Sequence, residues 1–148
     1  MTSEQALTTQ IMRIVNKLIF IDKKSIFEFQ GVKLYPSEIH LMQVIYTDQE
    51  LNSTEMAQRL SVTKGAVSQT LSRLEKKGIL IKNKDPYLKN KLTVDFTELG
   101  QAAMRSHRLY AQALENEYQY YLSTLTEKDK NIIRSFLSKI ETFVDRLG

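Results

Sequence analysis

Between Asn52 and Gly78 the chain runs through two helical patterns separated by only three residues, Ser61-Val62-Thr63, and few folds accommodate that spacing. Asn52-Ser53-Thr54-Glu55 sets an N-cap three residues ahead of a glutamate, a capping-box arrangement with asparagine in first place. Met56, Ala57 and Leu60 then share one face of a short helix. Thr63 is a suitable N-cap for a second helix, Lys64 to Lys77, which turns Val67, Leu71 and Leu74 inward. Gly78 follows where a left-handed C-cap belongs, behind Lys76 and Lys77 in the last turn. Two helices joined by so short a turn predict a helix-turn-helix over about 52–77.

The elements on either side extend this unit. Ile79-Leu80-Ile81-Lys82 and Lys91-Leu92-Thr93-Val94-Asp95-Phe96 read as two strands with Asp85-Pro86 in the tip between them, which predicts a β-hairpin wing over about 79–96. Upstream, Leu7, Ile11, Ile14, Val15, Leu18 and Ile19 recur at helical spacing. The mixed stretch from Asp22 to Leu34 reads as a helix end and a connection. Pro36 suits the first turn of a further helix carrying Ile39, Met42, Ile45 and Tyr46. Downstream, Thr97 caps a long helix to about Leu122, and Thr126 caps a last one with Ile132, Ile133, Phe136, Leu137, Ile140, Phe143, Val144 and Leu147 on its inner stripe. With 5 Gly and 2 Pro in 148 residues, long loops should be few, and the fold class is mainly α.

Charge narrows the function. Residues 64–91 hold eight Lys/Arg (Lys64, Arg73, Lys76, Lys77, Lys82, Lys84, Lys89 and Lys91) against two acids, so the rest of a chain of net charge +4 is slightly negative. A basic block of this kind fits phosphate binding. The absence of cysteine excludes a disulfide framework and a thiolate metal site. No apolar run near the start exceeds Leu18-Ile19-Phe20-Ile21, which predicts no signal peptide, no membrane partner and a cytoplasmic protein. His40 and His107 lie far apart without ligand spacing, so no metal and no cofactor are expected. Nor is there a nucleophile–base pair or phosphate-binding Gly-rich loop, and no enzyme is expected.

A helix that enters the DNA major groove needs an apolar inner face and a small, polar outer one. Thr63, Lys64, Gly65, Ala66, Ser68, Gln69, Ser72 and Arg73 supply the outer face here. Gln69 can pair with adenine through both amide atoms, and the helix N-terminus favours a phosphate. Gly65 is informative, since a merely solvated helix face would carry a better helix former. The alternative is a winged helix that docks an acidic protein, but such a surface would expose aromatics and methionine.

Residues 51–80 resemble the helix-turn-helix of MarR-type winged-helix regulators. The likeness is carried by Glu55-Met56-Ala57, Val67-Ser68-Gln69 and Leu74-Glu75-Lys76-Lys77-Gly78-Ile79-Leu80, with Phe96-Thr97-Glu98-Leu99-Gly100 after the wing and Pro36-Ser37-Glu38 with Met42 before it. The resemblance implies one domain over 1–148, with a DNA-binding lobe at 34–96 and dimerisation helices at 1–22 and 98–148. It implies a homodimeric repressor on a palindromic double-stranded operator, released by a small-molecule effector. Ile11, Val15, Leu18, Ile133, Phe136, Leu137 and Ile140 would then meet the second protomer. The chain departs from the family at the wing tip, where Leu88-Lys89 replaces the usual Asp-Arg pair; Lys89, Asn90 and Lys91 would keep the basic contact, and Lys82 and Lys84 would meet backbone phosphate. Lysine is a poorer minor-groove reader than planar arginine. Tyr35 departs as well, standing where the family often has an N-cap threonine, so Ser37 or water would cap that helix.

Overall fold

The capping residues place the helices where the sequence sets them. A computed structural model describes residues 1–84 and 92–147. The chain divides into two units, Met1–Ala103 and Met104–Gly148. The first contains α1 (Ser3–Lys24), β1 (Phe27–Phe29), β2 (Val32–Leu34), α2 (Pro36–Thr47), α3 (Ser53–Leu60), α4 (Lys64–Lys76), β3 (Leu80–Lys84), β4 (Leu92–Phe96) and the start of α5 (Glu98–Ser123); the second holds the remainder of α5 and α6 (Glu127–Asp145). The fold is a mainly helical winged helix-turn-helix.

The turn between α3 and α4 is closed by backbone geometry. Ser61 takes a left-handed conformation at φ 52°, the Val62 N–H donates to Ala57 O at 3.1 Å, and the Ser61 N–H donates to Gln58 O at 3.3 Å. These two bonds form a Schellman motif, built here on serine instead of glycine. Thr63 Oγ1 then accepts from the Ala66 N–H at 3.1 Å and starts α4. The end of α4 repeats the device: Gly78 has φ 75°, its N–H donates to Glu75 O at 3.0 Å, and the Ile79 N–H donates to Leu74 O at 2.9 Å. The reversal delivers the chain into the wing, whose antiparallel register pairs Leu80 with Phe96, Lys82 with Val94 and Lys84 with Leu92.

Leu34, Leu41, Met42, Ile45, Met56, Val67, Leu71, Leu74, Ile79, Leu80 and Val94 are buried and make one core beneath α4 and the wing base. Each such side chain contributes roughly 1.5–3 kcal/mol on burial, enough to hold α4 by its inner face alone. Phe96 closes the edge with its ring 6.3 Å from that of Tyr46, in an edge-on arrangement.

Two readings of the sequence need correction. The stretch after α1 is not a plain connection: α1 continues to Lys24, and β1 and β2 form a hairpin that pairs Phe27 with Leu34 and Phe29 with Val32. Its two-residue turn has both central residues at positive φ, Gln30 at 49° and Gly31 at 80°, as a type I′ hairpin turn requires. The second concerns the α2 cap. The Glu38 carboxylate reaches back to accept from the Tyr35 N–H at 2.9 Å, so neither Ser37 nor water is needed there.

Candidate nucleic-acid interface

The outer face of α4 is assembled by the core behind it. Val67, Thr70, Leu71 and Leu74 are buried, so the helix is fixed in rotation. Thr63, Lys64, Gly65, Ser68, Gln69 and Arg73 are consequently exposed, with Ala66 and Ser72 half-buried at the flanks. Sequence reasoning assigned these eight residues to one surface, and the structure brings them together. The N-terminal half of that surface is small and flat. A Cβ built on Gly65 would meet only Thr63 Oγ1, at 3.9 Å, so nothing inside the protein requires glycine there.

The wing base is tied to this helix. Lys82 Nζ donates to Ser72 Oγ at 2.9 Å, and the Lys82 N–H donates to Glu75 Oε2 at 3.3 Å. Two residues expected to meet DNA, Ser72 and Lys82, thus already hold each other. Lys84 closes the described part of β3 through its backbone pairing with Leu92. Lys89, Asn90 and Lys91 lie outside the described residues.

A charged cluster that sequence reasoning missed sits behind the C-terminal end of α4. The Glu38 side chain is 1% exposed and lies 2.8 Å from Lys77 Nζ and 3.5 Å from Arg73 Nε. Arg73 Nη2 also donates to Thr70 Oγ1 at 3.0 Å, and Thr70 Oγ1 donates in turn to Ala66 O at 2.9 Å. Arg73 therefore touches the protein on two sides while its side chain stays half exposed. The one sequence signal for this cluster was Glu38 at the third position of a proline-started helix.

Elsewhere, His40 Nε2 lies 2.9 Å from Asp22 Oδ1 and joins α2 to the end of α1. Burial pushes the His107 imidazole below its ordinary pKa. Among the described residues no three His, Asp or Glu side chains cluster as a metal site would need. No described helix is long and apolar enough to cross a membrane.

Comparison with known proteins bears on this surface. The sequence model of the MarR family matches residues 34–87, from the end of β2 into the wing. Residues 34–87 are thus similar to the MarR-family domain. That family is one of transcriptional regulators, and the matched residues contain all of α2, α3 and α4. An HTH-type transcriptional regulator of Bacillus cereus is 29% identical over 107 residues, which cover 72% of this chain and 69% of the relative. Among solved structures, FabT of Streptococcus pneumoniae, crystallised in complex with DNA, has a TM-score of 0.80 at 18% identity and covers 99% of this chain and 100% of its own. The adhesin competence repressor AdcR of Streptococcus pyogenes has a TM-score of 0.73 at 21% identity, with 96% of this chain and 98% of its own covered. At these identities the two structures support the fold of the MarR domain and of the helices that flank it.

The residues expected to join two protomers occupy helices with open apolar faces. No residue of α1 is buried; Leu18 is 60% exposed, Val15 is exposed and Ile11 half-buried. In α6, also without a buried residue, Phe136 and Leu137 are exposed while Ile133 and Ile140 are half-buried.

Proposed function

We propose that this protein is a homodimeric repressor that binds a palindromic double-stranded operator through α4 and the wing, and that it has no catalytic role. The observation that carries the reading is the outer face of α4: eight small, polar or basic residues on a helix whose rotation is fixed by a buried apolar face. Gly65 supports it, because glycine costs a helix up to about 1 kcal/mol relative to alanine and no internal contact demands it. Close approach of an outside surface to the helix N-terminus accounts for its presence. That FabT, which is structurally similar, was crystallised in complex with DNA supports DNA as the partner.

Thr63, Lys64, Gly65, Ala66, Ser68 and Gln69 would enter the major groove, with Gln69 reading a base edge. Ser72, Arg73, Lys82 and Lys84 would meet phosphates, joined by Lys89, Asn90 and Lys91 of the wing. Gln69→Ala is expected to lose about 1–3 kcal/mol of discrimination at one or two base pairs. Fluorescence anisotropy against a set of single-base operator variants measures it. Equal weakening on every sequence would show that Gln69 does not read bases.

The bare apolar faces of α1 and α6 support a dimer, since exposed apolar stripes of this length are the kind a second copy covers. Glutamate at both Ile133 and Phe136 is expected to shift the protein to monomers in sedimentation velocity. A dimer that survives both substitutions would place the interface elsewhere. Such a regulator would act in the cytoplasm, where its DNA lies. Release by a small ligand follows from the family resemblance. It is supported by a cavity of about 140 Å³ bordered by His40, Leu41, Val62, Ala66, Val67 and Thr70, which directly underlies α4.

A further inference from the structure

Two cations compete for one buried carboxylate at the back of the recognition helix, and they share it unequally. Lys77 Nζ donates to Glu38 Oε1 at 2.9 Å, to Glu38 Oε2 at 2.8 Å and to Lys33 O at 2.7 Å. An ammonium has three N–H groups, so Lys77 has none left for DNA although it belongs to the basic block. The Tyr35 ring lies 4.8 Å from the same ammonium and covers it. Arg73 is left with the weaker share. Its Nε stands 3.5 Å from Glu38 Oε1, beyond a good hydrogen bond, and its firm contact is the one to Thr70 Oγ1. A guanidinium carries five N–H donors in a fixed plane, so most of those on Arg73 remain uncommitted.

We propose that Lys77 is a positioning residue for DNA binding: by occupying both oxygens of Glu38 it keeps Arg73 oriented but free to grip a phosphate. The inference rests on the DNA-binding reading above. Without Lys77, the buried Glu38 carboxylate has Arg73 as its nearest cation, and a close bidentate pair forms between them. The guanidinium is then withdrawn from the surface, and a residue with no donor to offer DNA changes the affinity for it.

The test is anisotropy titration of an operator duplex and a scrambled duplex at several salt concentrations. Lys77→Met is expected to bind both duplexes about tenfold more weakly, the value of roughly one charged hydrogen bond. The slope of log K against log salt should shrink by about one, as the loss of one phosphate contact requires. Adding Glu38→Gln to Lys77→Met removes the anion that captures Arg73, and affinity should return to within about threefold of the original. In an Arg73→Ala background, Lys77→Met should cost nothing further.

An unchanged affinity in Lys77→Met would overturn the proposal, as would an equal loss in the Arg73→Ala background. A tenfold loss that persists in the double variant would overturn it too, because Lys77 would then touch DNA itself. If Lys77→Met does not fold, by circular dichroism, the double variant still tests the proposal, since it buries no unpaired charge and a tenfold loss in it would overturn the proposal. Failure of the unsubstituted protein to bind any duplex would instead remove the DNA-binding reading, and the proposal with it.

Discussion

Gly100→Ala is expected to destabilise the protein by about 3 kcal/mol or more. Gly100 sits in the first turn of α5, where that helix leaves the wing. A Cβ there would lie 2.1 Å from Ile79 O and 3.1 Å from Phe96 Cδ1. The first of these is backbone and cannot rotate away. The Ile79 carbonyl is also engaged, accepting from the Thr97 N–H at 3.0 Å and from Thr97 Oγ1 at 3.2 Å. Thr97 Oγ1 in turn accepts from the Gly100 N–H at 3.0 Å. Making room for one methyl therefore loosens the joint that fastens the exit of α4 to the start of α5. Thermal unfolding should show a drop of about 10 °C for a chain of this length. Gly65→Ala is the matching control. That site is open, and its stability should stay within about 0.5 kcal/mol of the original or rise. A Gly100→Ala protein that melts with the original would mean that the α4 exit and the start of α5 do not approach as described.

Glu38→Ala is expected to cost a similar amount, roughly 3 kcal/mol, for a different reason. Its carboxylate is buried, and its removal leaves the Lys77 ammonium, three-quarters buried itself, with Lys33 O as its remaining hydrogen-bond acceptor. Breaking one side of a buried pair costs more than the pair is worth, because the survivor cannot recover its hydration. The Tyr35 N–H loses its acceptor as well, which is a helix-cap loss of about 1 kcal/mol. Glu38→Gln keeps the volume and a carbonyl oxygen for that cap, so it should cost clearly less. Denaturant titration of the two variants separates the contributions: equal midpoints would assign the loss to charge alone.

Most of the fold was legible because local chemistry and global arrangement agree. Thr63, Gly78 and Thr97 act at the positions their side chains and backbone preferences mark, and α3, α4 and the wing follow from them. The β1–β2 hairpin was legible in principle. Phe27-Glu28-Phe29 and Val32-Lys33-Leu34 alternate around a two-residue Gln-Gly turn. Strands of three residues give too short a pattern to stand out, and glutamine is an uncommon residue at positive φ. The pairing of Glu38 with Lys77 and Arg73 could not be read, although the place of Glu38 in the first turn of α2 could. Glu38 and Lys77 are 39 positions apart, and nothing local tells which of many surface cations a buried carboxylate will find. The outer face of α4 was readable because a helix that buries Val67, Leu71 and Leu74 has only one other side to show. How Ser72 and Lys82 divide themselves between each other and DNA was not readable, since their contact depends on the wing register.

On the reading proposed above, α4 and the wing read a specific DNA sequence from a two-fold dimer. Selection of bound duplexes from a random pool, followed by salt titration of the winner, tests it most directly. The expected result is an enriched palindrome with half-sites about one helical turn, roughly 34 Å, apart, and an affinity that falls steeply with salt as several phosphate contacts are screened. A pool with no enriched sequence at any salt concentration would contradict it, and would move the basic face of α4 from DNA to an acidic protein partner.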